Sequence, residues 1–110
     1  MEKDQNRISI PYMDERRADK LAQLFRALGD ATRIKILFLI SDSEMCVSEV
    51  AALLHMTEAA VSHQFRILRM NGLVRRKRYG KMIYYKLNDF HVNAIMAQGL
   101  EHICEKEENS

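Results

Sequence analysis

The 110-residue chain has no tryptophan, one proline and four glycines, so little of it is set aside for turns or stiff linkers. The proline, Pro11, falls in a polar opening stretch, and residues 1–13 read as a mobile arm. Two cysteines, Cys46 and Cys104, lie too far apart for a CxxC motif and are too few for a disulfide scaffold, which fits a reducing compartment. The longest apolar run is the five residues Ile36 to Ile40, against about 20 needed to span a bilayer. No secretion-signal pattern opens the chain, so the expectation is a cytoplasmic protein with no membrane partner. A Gly-rich phosphate loop and a nucleophile elbow are both missing, so the chain does not read as an enzyme and no small organic substrate is expected.

Acidic residues are missing from one long block. From Ala59 to Asn88 there is no Asp or Glu, but there are eight basic residues: Arg66, Arg69, Arg75, Arg76, Lys77, Arg78, Lys81 and Lys86. The other 80 residues carry nine basic and all 15 acidic residues, a net of −6. A positive block in an otherwise acidic chain is the electrostatic footprint of a nucleic-acid surface, because backbone phosphates supply most non-specific affinity.

What is present is helical periodicity. Ala18, Leu21, Leu24, Phe25 and Leu28 recur at helix spacing from about Asp14, and Gly29 supplies a stop. A second helix is expected from about Asp30 to Ser41, with Ile34, Ile36, Leu37 and Ile40 inward, then a loop over 42–45. Ser48 is the expected N-cap of a short third helix ending near His55, and Thr57 that of a fourth running from Glu58 to about Met70, closed by Asn71-Gly72. Two helices joined by so tight a turn, followed by a basic stretch, make a helix-turn-helix pattern. Around Tyr79-Gly80 the period changes to that of a two-stranded β-hairpin over 73–87, a wing. Asn88 is the expected cap of a last helix reaching about Glu105, with 106–110 a frayed acidic tail. The fold class is therefore mostly helical α+β, a single winged helix-turn-helix domain over 14–105, paired as a homodimer through its first and last helices.

On the fourth helix Glu58, Ala59, Ser62, His63, Gln64 and Arg66 are the candidate contacts to a duplex, since the N-terminal half of such a helix enters the major groove. Ser, His and Gln can pair with base edges or phosphates, and Glu58 can accept from a cytosine amino group or serve the helix N-terminus. Arg76, Lys77, Arg78 and Lys81 are the candidate wing contacts to the phosphate backbone.

The last helix carries Asp89, His91, His102 and Glu105. The 11 residues from His91 to His102 rise about 16 Å, whereas zinc ligands sit about 2 Å from the ion, so one helix cannot use all four on one metal. Two such helices packed antiparallel about a two-fold axis would set Asp89 and His91 of one against His102 and Glu105 of the other, giving two sites per dimer. Two imidazoles and two carboxylates suit tetrahedral Zn2+, or Co2+ in vitro, and lack the soft sulfur that cadmium, lead, arsenic or copper(I) would select. Four protein donors leave no open position for hydrolytic water. A ligating His102 is expected to use its other ring nitrogen near Asn71 or Gly72. Cys46, with Glu49 three residues on, finds no Cys or His in the arm to complete a softer site, and reads as a packing residue.

With these residues in hand, the chain closely resembles the ArsR/SmtB family of metal-responsive winged-helix repressors. The segments LFRALGDATRIKIL, EMCVSEVAALLHMTEAAVSHQFRILRMNGLV, RRKRYGKMIYYKL and DFHVNAIMAQGLEHICE carry the resemblance. In the zinc-sensing branch a D-x-H and an H-x-x-E/H in the last helix form the intersubunit site, matched here by Asp89, His91, His102 and Glu105. Ser62 and His63 fall where members touch operator DNA. Cadmium and lead sensors carry CVC where this chain reads CVS at 46–48, which disfavours a thiolate site. The resemblance implies a repressor that binds operator DNA as an apo dimer and is released by zinc, freeing efflux or sequestration genes. The residues leave two other readings: a thiol redox sensor through Cys46 and Cys104, and a zinc-stabilised dimer with no operator of its own.

Overall fold

The computed structural model describes residues 13–108, which fold as five helices and a three-stranded antiparallel sheet. The mobile arm expected over 1–13 lies, apart from Met13, outside the described residues. Helix ends are set by local chemistry. Asp14 accepts from the Arg17 backbone N–H at 2.8 Å and opens α1 (Glu15–Leu28), and the Gly29 N–H closes it on the Arg26 carbonyl at 3.1 Å. Asp30 caps α2 (Ala31–Asp42) in the same way, accepting from Arg33 N–H at 3.1 Å.

The expected loop over 42–45 instead leads into a short strand, β1 (Met45–Cys46). Two residues carry no periodicity of their own; the strand exists because the edge of β3 (Met82–Leu87) pairs with it, Met45 opposite Tyr85 and Cys46 opposite Tyr84. The wing is thus a hairpin with a third strand added, in the order β1-β3-β2, where β2 is Val74–Tyr79. Helix α3 (Val47–Leu54) begins one residue after Cys46, so the N-cap is Cys46 and not Ser48. The Glu49 carboxylate decides this by accepting from the Cys46 N–H at 3.0 Å, while Ser48 Oγ lies 3.2 Å from Cys46 Sγ.

His55 ends α3 in the left-handed region at φ 56°, and Thr57 Oγ1 accepts from Ala60 N–H at 3.1 Å to open α4 (Glu58–Met70). Gly72 turns the chain out of α4 at φ 71°, a value that L side chains rarely adopt. The hairpin turn is Gly80-Lys81, one residue later than expected, because Tyr79 still pairs with Met82 and Gly80 takes φ 63°.

Asn88 does not cap the last helix, α5 (Phe90–Glu108). Its side chain reaches back to the Gly72 carbonyl at 3.1 Å and its backbone N–H to Leu73 at 3.0 Å, so the cap falls to Asp89, which accepts from His91 N–H at 2.9 Å. The helix continues through Glu108 instead of fraying from 106, since Glu and Lys are good helix formers.

The core gathers Ile36 and Leu37 of α2, Val50 of α3, and Val61, Phe65 and Leu68 of α4, all fully buried. Phe65 stacks on Tyr85 of β3 with ring centroids 4.0 Å apart, which joins the fourth helix to the hairpin. The outer helices are poorly covered. Helix α5 buries only Val92 and Met96, and Leu21, Phe25, Phe90, Leu100 and Ile103 stand exposed on α1 and α5. No helix among the described residues is long and apolar enough to cross a membrane.

Replacing Phe65 by Ala removes a fully buried ring and its stack on Tyr85. The expected cost is about 3–5 kcal/mol of unfolding free energy, read as a lowered midpoint in urea denaturation followed by circular dichroism.

Candidate nucleic-acid interface and metal-ligating helix

Helix α4 turns Val61, Phe65 and Leu68 inward, so its remaining residues form an outer face. Glu58, Ala59, Ser62, His63 and Arg66 are exposed on it. Gln64 differs from the others: it is half-buried, and its side-chain oxygen accepts from Arg33 Nη1 at 3.4 Å.

The hairpin register divides the basic run between two faces of the sheet. Arg76 lies opposite Tyr85 and Arg78 opposite Ile83, whereas Lys77 lies opposite Tyr84 on the other face, its ammonium 5.2 Å from the centre of the Tyr79 ring. Lys81 sits in the turn, and all four cations are exposed. Among the described residues, none of the eight basic side chains of the 59–88 block forms an ion pair with a carboxylate.

Between α4 and β2 runs a cleft of about 460 Å³ lined by Ser62, Arg66, Arg69 and Arg76, floored by Phe65 and Tyr85. Arg69 is the residue that sequence reasoning missed here. Its signal was the three-residue spacing from Arg66, which places both guanidinium groups on one side of the helix. On the opposite side of the sheet Glu49, first, then partial burial and the neighbouring Cys46 and Glu44, hold the Tyr84 phenol above its ordinary value.

The candidate metal ligands occupy the two ends of α5. Asp89 Oδ1 lies 3.2 Å from His91 Nδ1, and both side chains are open to solvent, at 47 % and 75 % exposure. One carboxylate and one imidazole thus converge in the first turn. His102 and Glu105 lie exposed about three turns further along and do not join that pair within the chain. No group of three or more His, Cys, Asp or Glu gathers at one point among the described residues. The Gly72 carbonyl, near which a ligating His102 is expected to place its other ring nitrogen, accepts from Asn88 Nδ2 at 3.1 Å. Cys46 is 4 % exposed and Cys104 is exposed, so only the second thiol meets solvent.

Residues 30–76 match the family model described as bacterial regulatory protein, arsR family. The chain is 38 % identical over 90 residues to a transcriptional repressor SmtB homolog of Synechocystis, covering 82 % of this chain and 68 % of that one. It is 36 % identical over 83 residues to a cadmium resistance transcriptional regulatory protein CadC homolog of Staphylococcus aureus, covering 74 % and 69 %. Its fold superposes with a TM-score of 0.80 and 26 % identity on a homodimeric winged helix-turn-helix DNA-binding domain from Mycobacterium bovis, over 92 % of this chain and 96 % of that one. With its five helices, three-stranded winged sheet and basic helix-turn-helix, the chain belongs to the arsR family of bacterial regulatory proteins and is a transcriptional regulator, not an enzyme.

Proposed function

We propose that the protein is a homodimeric repressor that holds double-stranded operator DNA when metal-free and releases it when zinc binds across the dimer. The observation that carries this reading is the division of α5, with Asp89 and His91 converging at 3.2 Å at its start and His102 and Glu105 exposed near its end. Each end is half of a tetrahedral donor set, and the exposed apolar side chains of Phe90, Leu100 and Ile103 supply a surface on which a second α5 can pack. In an antiparallel pair, the first half from one protomer meets the second half from its partner, and the two-fold axis repeats the site. The donors are nitrogen and carboxylate oxygen, which suits zinc or cobalt better than a soft metal. Metal of this kind supplies a fixed cross-link between two helices and no chemistry beyond it.

The DNA side of the reading rests on Glu58, Ala59, Ser62, His63 and Arg66 on the outer face of α4, with Gln64 behind them. Arg76, Lys77, Arg78 and Lys81 on the hairpin complete the surface. The helix fits the major groove, and the cleft lined by Arg66, Arg69 and Arg76 follows a phosphate backbone. The two functions connect through the base of the hairpin. Asn88, one residue before the Asp89 ligand, is bonded to Gly72 and Leu73 at the end of α4, so a change in the angle of α5 is passed to α4. A palindromic operator tolerates little error in the spacing of two such helices. Zinc that binds the released shape better must, by reciprocity, weaken operator binding by the same factor.

Three outcomes test this. Fluorescence anisotropy on the duplex upstream of the protein's own gene should show zinc-driven release by the wild type and none by a His91→Ala, His102→Ala double variant; release by both would remove α5 as the sensor. Arg66→Ala or Arg76→Ala should weaken binding to every sequence and lower the slope of log affinity against log salt by about 1, measured by the same titration at several salt concentrations. Phe25→Glu, which sets a charge among the exposed apolar residues of α1, should shift the protein toward monomer in sedimentation velocity, and an unchanged dimer would place the interface elsewhere.

A further inference from the structure

Arg33 lies outside the basic block, in the first turn of α2, and its side chain is only 16 % exposed. It is bound to three helices at once. Nε donates to the Ala27 carbonyl at 2.7 Å, an acceptor left open at the end of α1, and Nη2 adds a second donor, at 3.2 Å, to the Arg26 carbonyl that Gly29 already uses. Asp30 anchors the same residue, accepting its backbone N–H at 3.1 Å and lying 4.0 Å from Nη1. The remaining reach of Nη1 goes to Gln64 Oε1 on α4, at 3.4 Å.

We propose that Arg33 is a positioning residue for operator recognition: it turns the Gln64 side-chain oxygen inward, leaving the amide NH2 as the group that Gln64 offers to DNA. This rests on the reading of α4 as the helix that enters the groove. A guanidinium carries donors only, so the amide beside it must present its oxygen and not its nitrogen. A glutamine with both atoms free pairs with adenine, accepting from N6 and donating to N7. With its oxygen turned toward Arg33, the group that Gln64 presents to the groove is its NH2 donor. Its partners are then the acceptors of the major groove, guanine O6 and N7 or thymine O4. Gln64 is half-buried, beside exposed Ser62, His63 and Arg66, on the flank of α4 that meets Arg33. Because the guanidinium also grips the end of α1, the presentation of Gln64 depends on how α1 meets α2.

The test begins by selecting duplexes from a randomised pool with the wild-type protein. Anisotropy then compares the selected duplex with a scrambled one for the wild type, Arg33→Lys, Arg33→Met, Gln64→Met and the Arg33→Met, Gln64→Met double variant. Lysine keeps the charge and one donor for the α1 carbonyls but lacks the fork that also reaches α4, so it stands in if the methionine variant does not fold. The expected result is an approximately tenfold loss of preference for the selected duplex in each single variant, about the value of one base contact. No further loss is expected in the double variant, and scrambled-duplex affinity should be unchanged in Arg33→Lys. A lowered melting temperature with the preference intact would show that Arg33 only closes α1, and losses that add in the double variant would separate it from Gln64; either overturns the inference. A wild type that enriches no common sequence would overturn the operator reading itself, and the inference with it.

Discussion

The contact on which this molecule turns is the stack of Phe65 on Tyr85, with ring centroids 4.0 Å apart. One ring comes from the inner face of α4 and the other from the middle strand of the sheet, so the stack fixes the helix and the hairpin as one body. Both elements are basic outside and apolar inside. Without a shared buried contact, two such elements would repel each other across their like-charged surfaces. With it, the cleft between them keeps three arginines, Arg66, Arg69 and Arg76, around an aromatic floor.

The second organising constraint is incompleteness. Helix α5 carries 19 residues, of which only Val92 and Met96 are buried. Leu21 and Phe25 of α1 also point outward, Phe25 at 53 % exposure. A single chain thus leaves its first and last helices half-used, and the proposed metal donors of α5 are arranged in the same way, two at each end. The apolar surface and the donor pairs ask for the same partner, a second copy related by a two-fold axis. This makes folding, assembly and ion recognition parts of one packing problem.

Much of this architecture was legible in the residues because helix ends are local events. Asp14, Asp30 and Thr57 each cap a helix through a backbone N–H three residues away, and Gly72 ends α4 through its own backbone freedom. What escaped depends on partners distant in sequence. Asn88 and Asp89 are equally good caps on propensity, and the choice is made by a carbonyl at Gly72 that only the folded hairpin brings near. Strand β1 has no pattern of its own and is imposed by Tyr84 and Tyr85. Cys46 takes the cap position from Ser48 because Glu49 reaches back to its N–H. Of the candidate DNA contacts, Gln64 alone is drawn partly inside, by an arginine on another helix that no local pattern connects to it. The α5 ligand spacing was legible because a helix converts residue number into distance; whether two copies bring the halves together is a property of the assembly.

The closure of the hairpin base sets how this fold can change. Asn88 binds Gly72 and Leu73 where the two strands begin and end, while the tip at Gly80-Lys81 stands exposed. Length and charge can therefore be added or removed at the tip without altering the angle between α4 and α5. A lineage could retune how firmly the wing grips a backbone while the seating of α4 and α5 at the hairpin base stays as built, so the strength of DNA binding and the packing of the outer helix are free to evolve apart.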